Sequence, residues 1–340
     1  MKKTRVAING LGRIGRAFLK LALKRSDIEV VAVNDLATLA NLIYLLKYDT
    51  AYGGARFEIT QDDEQTFSMG QAEIKFLQEK DPSLLPWAEL DIDVVVEATG
   101  VFASYKGSKA HIDAGARKVV ITAPVKDEPT AGIPGATVLM GVNEDKLKTC
   151  QITSNASCTT NSASPIMTIL HEGLGVKKAL LNTIHGYTAS QSLVDAPNKK
   201  NFRLGRAGAQ NIIPSSTGAA TAVTQVIAEL TDKFDGVATR VPVVTGSLVD
   251  ITFVADRKTS VEEVNNILRQ GADNPRWHNI FTVTEEPLVS SDIIGNIHGS
   301  IADLNLTRVV AGDLVKVMAW YDNEMGYAHT LVEHVVKTSQ

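Results

Sequence analysis

Gly10-Leu11-Gly12-Arg13-Ile14-Gly15 is the stretch on which the first half of the chain turns. Glycines at G-x-G-x-x-G spacing are a weak signal alone. Here they follow a short apolar run, Arg5-Val6-Ala7-Ile8-Asn9. They open a segment, Arg13 to Lys24, in which Ile14, Ala17, Phe18, Leu21 and Ala22 recur at helical spacing. A second β-branched run, Ile28 to Val33, leads to Asp35, about 20 residues beyond the last glycine. Strand, glycine turn, helix, strand and terminal acid in that order form a dinucleotide-binding fingerprint. Gly10 permits the tight turn, Gly12 lets backbone approach a pyrophosphate, and Gly15 lets the helix pack close to the strand. The amide groups near Arg13 and Ile14 are then expected to face the phosphates. Asp35 accepts from a ribose 2′-hydroxyl and repels a 2′-phosphate. Leu36-Ala37-Thr38 offers no cation to offset that repulsion, so NAD is the expected cofactor. The plain alternative is a structural glycine turn with Asp35 as a helix cap.

Further apolar runs, Val94 to Gly100 and Lys118 to Ala123, each stop at small residues, as buried parallel strands do. Their alternation with helical segments predicts a doubly wound α/β sheet. The second half has a different texture. A strand is expected over Asn182 to His185, then a long polar stretch from Gly186 to Asn211 carrying Lys199, Lys200, Arg203 and Arg206. Arg240 to Arg257, interrupted at Thr245-Gly246, and Asp313 to Tyr321 read as longer strands, and Asp322 to Lys337 as a helix with Val332, Val335 and Val336 on its apolar side. The fold class is therefore α/β, a Rossmann-type dinucleotide-binding domain followed by an α+β domain with a mixed sheet.

Composition narrows the classes. A chain of 340 residues suggests about two domains. Its 34 Lys+Arg and 38 Asp+Glu give a net charge of −4, which argues against bulk-charge binding to nucleic acid or membranes. No apolar run reaches the ~18 residues of a membrane span. Cys150 and Cys158 are the 2 cysteines. They form no disulfide framework and lack the spacing of a four-ligand zinc site, so reduced thiols in the cytosol and no metal are expected.

Ser154-Asn155-Ala156-Ser157-Cys158-Thr159-Thr160-Asn161 is a run of small polar residues ahead of the helix-like stretch Ile166 to Leu170. It places Cys158 near a helix N-terminus, where the dipole and free amides favour a thiolate. His185 is a candidate ion-pair partner and general base. Residue types alone leave open whether the two meet, because such partners are adjacent in space and not in sequence. A cysteine nucleophile beside a dinucleotide suits aldehyde oxidation: thiolate addition creates the oxyanion from which hydride departs, and leaves a thioester. Cys150, with no histidine nearby, reads as structural.

At this point the resemblance is close. The chain resembles the phosphorylating glyceraldehyde-3-phosphate dehydrogenase family from Asn9 to Arg16, at Asn34-Asp35, Lys47-Tyr48-Asp49, Glu97 to Gly100, Ile121 to Pro124 and Gly141 to Asn143. It continues through Ser154 to Asn161, Ile212 to Ala220 and Trp320 to Glu324. The resemblance implies that Cys158 is the nucleophile and His185 its activator. It implies that Ser157, Thr159, Thr188, Thr217, Gly218 and Arg240 hold the substrate phosphate and attacking inorganic phosphate. Gly10, Gly12, Arg13, Ile14, Gly15, Asp35, Lys80, Thr122 and Asn323 would hold NAD. It further implies domains at 1–156, completed by helix 322–340, and at 157–321, a homotetramer with the 186–211 stretch at a subunit interface, and a glycolytic role. Related readings are an erythrose-4-phosphate dehydrogenase and a noncatalytic NAD- or RNA-binding member of the fold. Met325 departs from the family's usual Trp, and Ser190 from the more frequent Asp or Thr.

Overall fold

Uninterrupted apolar runs become central strands here because both sheet faces are covered. The computed structural model describes residues 2–199 and 201–339, so Lys200 lies outside the described residues. The chain forms two compact units, one of Met1–Val138, Asn143–Ala156 and Ala328–Gln340, the other of Leu139–Val142 and Ser157–Tyr327.

The first unit contains strands β1 (Thr4–Asn9), β2 (Ile28–Asn34), β3 (Tyr48–Asp49), β4 (Gly53–Gly54), β5 (Ile59–Gln61), β6 (Thr66–Met69), β7 (Ala72–Leu77), β8 (Val94–Glu97), β9 (Lys118–Ile121), β10 (Gly135–Thr137) and β11 (Ile152–Ser154). The β3–β4 pair stands apart; the rest form one sheet in the order β10-β11-β9-β8-β1-β2-β7-β6-β5. From β10 to β7 neighbours run parallel, and β6 and β5 add antiparallel at the edge. Val6, Ala7, Ile8, Val94, Val95 and Val96 are all fully buried, as a doubly covered sheet requires. Strand order reverses at β1, with β2 on one side and β8 on the other, which opens a crevice beyond their carboxyl ends.

Helix α1 (Arg13–Ala22) leaves that crevice. Its packing depends on two glycines. Gly10 has φ +96, and a side chain there would meet Thr99 backbone at 2.7 Å. A Cβ on Gly15 would lie 2.1 Å from the Gly10 carbonyl oxygen. Helices α2 (Leu39–Lys47) and α3 (Tyr105–Asp113) follow; the Ser104 hydroxyl caps α3 by accepting from Gly107 N–H at 2.9 Å.

The second unit begins its main course with α4 (Cys158–Leu174), then β12 (Val176–Gly186), β13 (Ile213–Ser216), α5 (Ala219–Thr224), β14 (Phe234–Val241), β15 (Ser247–Ala255), α6 (Val261–Asp273), β16 (Phe281–Thr284), β17 (Ser300–Asp303), β18 (Arg308–Val310) and β19 (Leu314–Tyr321). The sheet order is β13-β14-β12-β15-β19-β17-β16, with β18 paired to β19. It is mixed: β12–β14 and β16–β17 are parallel, the other pairings antiparallel. Strict alternation buries Ser247, Val249, Ile251, Phe253 and Ala255 on one face of β15, against which α4 packs. Leu180 and Val237 stand exposed. Helix α7 (Met325–Thr338) closes the described chain.

Several boundaries differ from expectation for local reasons. The run 240–257 is the end of β14 plus all of β15. These strands flank β12 in opposite directions, and the link between them crosses the end of β12, where Tyr187 N–H donates to Val243 O at 3.0 Å. Strand β12 starts at Val176 rather than 182, because exposed Lys177 and Lys178 mask its apolar alternation. The last helix starts at Met325 because the Asp322 carboxylate accepts from the N–H groups of Glu324 and Met325, both at 2.9 Å. Residues 139–142 join the second unit, where Gly141 at φ +78 lies flat on Trp277. Beyond Gly186, which ends β12, the stretch to 211 has no strand among its described residues but is stitched internally: Asp195 accepts from Ala207 N–H at 3.0 Å and pairs with Arg206 at 2.8 Å.

Candidate active site

Cys158 is the first residue of α4. Ser157 precedes it in extended backbone, and its hydroxyl accepts from Thr160 N–H at 3.1 Å, which ends the coil and starts the helix. Ala156, just before the cap, holds φ 54, an unusual conformation for a residue with a Cβ. His185 comes from the far end of β12. The structure brings the two together: Cys158 Sγ lies 3.3 Å from His185 Nε2. Cys158 keeps part of its surface open, and His185 is buried. Cys150 is buried in the other unit.

Arg240, near the end of β14, is brought beside the histidine by parallel pairing, in which His185 and Arg240 are register partners. Its Nη1 lies 2.7 Å from His185 Nδ1, and that Nδ1 is also 2.6 Å from the Gly186 carbonyl oxygen. One ring nitrogen cannot accept from a guanidinium and donate to a carbonyl at once. If Nδ1 donates to Gly186, Nε2 presents a lone pair to the thiol; if it accepts from Arg240, Nε2 carries the hydrogen. The Arg240 Nε is buried without a partner among the described residues.

Electrostatics correct one expectation. The helix terminus suggests a standing thiolate. Burial instead pushes the Cys158 thiol up, against the opposing pull of Arg240 and of the Thr159 N–H and hydroxyl. Burial, reinforced by Arg240, pushes His185 down to about 3, against the Gly186 carbonyl. Burial thus opposes the charged form of each group.

Sequence reading missed Tyr321. Its hydroxyl bridges Thr159 Oγ1 at 2.8 Å and Thr183 Oγ1 at 2.7 Å, and its ring meets His185 edge-on at 6.0 Å. The available signal was its position at the inward end of the alternating strand β19. Thr159 is 4% exposed, so its hydroxyl serves this cluster. Among the other anion candidates, Thr188 Oγ1 pairs with Ser190 Oγ at 2.9 Å. Thr217 Oγ1 accepts from Ala219 N–H at 3.2 Å, and Gly218 stands exposed before α5. The Asn323 Oδ1 is fixed by the Ser247 hydroxyl at 2.8 Å and the Thr245 hydroxyl at 3.1 Å.

In the first unit a cavity of about 1010 Å³ opens at the carboxyl ends of β1, β2 and β8, lined by Gly10, Gly12, Asn34, Asp35, Lys80 and Thr99 among others. Asp35 Oδ2 accepts from Leu11 N–H at 2.7 Å and Oδ1 from Ala37 N–H at 2.9 Å, which aims its remaining lone pairs outward. Gly12 caps α1 with no side chain on the helix N–H groups, and a Cβ on it would meet nothing within 4 Å, so the approach is open. Open helix amides, a held carboxylate and a cavity of this size fit a dinucleotide. Arg13 is committed to Asp49 at 2.9 Å, and Thr122, whose N–H donates to Glu97 O at 3.0 Å, lies just past β9, outside the cavity lining. Among the described residues no helix is long and apolar enough to cross a membrane.

Known proteins resemble the chain over nearly its whole length. Residues 4–105 match the NAD binding domain of glyceraldehyde 3-phosphate dehydrogenase, and 157–323 match its C-terminal domain. The chain is 44% identical over 335 residues to a glyceraldehyde-3-phosphate dehydrogenase of Streptomyces coelicolor, covering 98% of this chain and 97% of that one. It is 44% identical over 339 residues to one of Mycolicibacterium smegmatis, at 97% of each chain. It is 43% identical over 331 residues to one of Priestia megaterium, at 97% and 96%.

Proposed function

Because the chain belongs to the glyceraldehyde-3-phosphate dehydrogenase family, we propose that it oxidises D-glyceraldehyde 3-phosphate with NAD and inorganic phosphate to 1,3-bisphosphoglycerate. The observation that carries this reading is the Cys158–His185 pair at 3.3 Å, with Arg240 on the histidine's other nitrogen. Cys158 Sγ adds to the aldehyde carbon as its proton passes to His185 Nε2. The Thr159 N–H and hydroxyl and the end of α4 stabilise sulfur as it loses the proton. Gly10, Gly12, Ile14, Gly15, Asp35 and Lys80 hold the cofactor, with Arg13, Thr122 and Asn323 as further contacts. Bound NAD supplies the two-electron acceptor that turns the thiol adduct into a thioester on Cys158. Inorganic phosphate then attacks the thioester carbon, and the sulfur leaves.

Arg240 ties anion binding to proton transfer. A phosphate that draws the guanidinium away from Nδ1 leaves Nδ1–H to the Gly186 carbonyl, and Nε2 then faces sulfur as a base. Ser157, Thr188, Thr217 and Gly218 complete the two anion sites through hydroxyls and amides. Thr159 reaches the anion through its backbone, since its hydroxyl is shared between Tyr321 and the sulfur. The exposed Leu180 and Val237 of the second sheet, and Leu193, Val194 and Phe202 of the 186–211 stretch, support a homotetramer. A cytosolic, glycolytic setting fits this chemistry.

The test is NADH absorbance with glyceraldehyde 3-phosphate, with and without phosphate, and with erythrose 4-phosphate in its place. Phosphate-dependent NADH formation from the triose is expected. Phosphate-independent oxidation of the tetrose alone would transfer the chain to erythrose-4-phosphate dehydrogenase, and silence with both aldehydes to a noncatalytic role.

A further inference from the structure

Beneath the cavity lies a chain of buried polar groups that no step above uses. Glu97, at the end of β8, is 1% exposed. Its Oε1 accepts from Thr99 N–H at 2.9 Å and from the Thr99 hydroxyl, and that hydroxyl oxygen accepts from Val101 N–H at 3.0 Å. Its Oε2 accepts from Asn9 Nδ2 at 2.6 Å and lies 3.2 Å from His111 Nε2. The Trp87 indole N–H, which only donates, meets His111 Nδ1 at 3.0 Å. So His111 Nδ1 accepts, and Nε2 is the nitrogen that donates to Glu97. Four donors thus converge on one carboxylate.

That carboxylate sets the direction of everything beyond it. Because Asn9 must turn its Nδ2 to Glu97, its Oδ1 faces Asn34, whose Nδ2 donates at 2.7 Å. Asn34 Oδ1 therefore faces outward and accepts from Glu79 N–H at 2.8 Å. Val101, Asn9, Asn34 and Glu79 all line the cavity, on four different walls. We propose that Glu97 is a positioning residue: a single buried acceptor that locks the 99–102 wall, the end of β1 and the 79–82 wall into one preformed dinucleotide cavity. This rests on the cofactor reading above and adds a residue to it that touches no ligand.

Glu97→Gln is the direct test. The amide must offer its NH₂ either to Thr99 or to the Asn9–His111 side, and both are donors already. The expected result is a roughly 10–100-fold weaker NAD dissociation constant by calorimetry. KM for NAD rises in step, while kcat at saturating NAD stays within about threefold. Asn9→Asp combined with Glu97→Gln moves the acceptor one residue along. The carboxylate introduced at position 9 accepts from the amide introduced at position 97, from His111 and from Asn34, so affinity is expected to return to within about fivefold of the parent. Merely structural damage would lower the melting temperature and active fraction without this rescue.

Amide hydrogen exchange without cofactor reads the coupling itself. Glu97→Gln is expected to speed exchange at both Val101 and Glu79. Thr99→Val, at the cavity lip, is expected to free Val101 alone; it and the double variant stand in if Glu97→Gln does not fold. Unchanged exchange at Glu79 in folded Glu97→Gln, or a double variant as weak as the single, would overturn the proposal. A parent protein that binds no NAD would overturn the cofactor reading instead, and the exchange experiment would still decide this one.

Discussion

The cavity of the first unit and the thiol centre of the second reach order by different routes. Around the cavity, each wall is a strand end plus a few following residues: Asn9-Gly10, Asn34-Asp35, Ala98-Thr99 and Glu79 to Pro82. Its shape follows from backbone, since Gly10 and Gly15 sit where no Cβ fits. At the thiol centre the parts are side chains from four elements. Thr159 and Tyr321, which share a hydrogen bond, are 162 residues apart in the chain. A site made of local backbone tolerates change at its rim and fails at its glycines. A site made of convergent side chains fails one chemical role at a time.

The sharpest separation is expected at the nucleophile. Cys158→Ser should lower turnover by roughly 10⁴–10⁶-fold, the scale of losing a nucleophile, and leave the NAD dissociation constant unchanged. His185→Asn should cost less, roughly 10²–10⁴-fold, as for a lost acid or base. Stopped-flow NADH formation and NAD titration on the same samples check both. An unchanged rate in either variant removes that residue from the mechanism, and a parallel loss of NAD binding breaks the independence of the two regions.

The same contrast explains what the sequence made legible. Strand ends, the glycine turn and Asp35 follow one another in order, so Gly10, Gly12 and Asp35 of the cavity lining could be read from local pattern, whereas Lys80 came only with the family resemblance. Residue types made Cys158 a candidate nucleophile at a helix start and His185 its candidate partner, but left open whether the two meet. Their meeting depends on β12 pairing with β14 and β15, which no local pattern encodes. Arg240 at the histidine's far nitrogen follows from strand register. Tyr321 entered only as the end of an expected strand, with no role. A helix terminus that favours a thiolate is visible in sequence, whereas the burial that opposes it is not. Glu97 stood in a quoted motif without a role, since two of its four donors, on Asn9 and His111, come from distant segments.

A backbone-built site should break at its glycines. In Gly15→Ala the added carbon would fall 2.1 Å from the Gly10 oxygen, too close without moving the turn or the helix. Backbone displacement of this kind costs about 1–3 kcal/mol. The expected result is lower thermal stability with NAD affinity reduced about tenfold or more. Gly12→Ala, where a Cβ meets nothing within 4 Å, should keep stability and lose affinity alone. Differential scanning calorimetry with NAD titration separates the two. Equal stability losses would show that the glycines act only as helix-neutral spacers.

A further effect lies in pH. Burial pushes His185 and His334, one in each unit, down to about 3. Near pH 6.5 the unfolded histidines begin to take up protons, while the folded ones stay neutral until about pH 3. Stability from this source is therefore complete above pH 6.5 and is lost as pH falls towards 3. Each histidine contributes a slope of about 1.4 kcal/mol per pH unit once below its unfolded pKa. Between pH 6.5 and 5 few carboxylates titrate, so urea unfolding in that window chiefly reads this pair, with a smaller share from His298, which burial also pushes down. His334→Gln, whose parent ring meets the Thr153 hydroxyl at 2.8 Å, should remove about half of the slope and leave the thiol centre untouched. An unaltered slope would place the titration elsewhere. A halved slope with unchanged alkylation of Cys158 would show that the two regions titrate independently even within one chain.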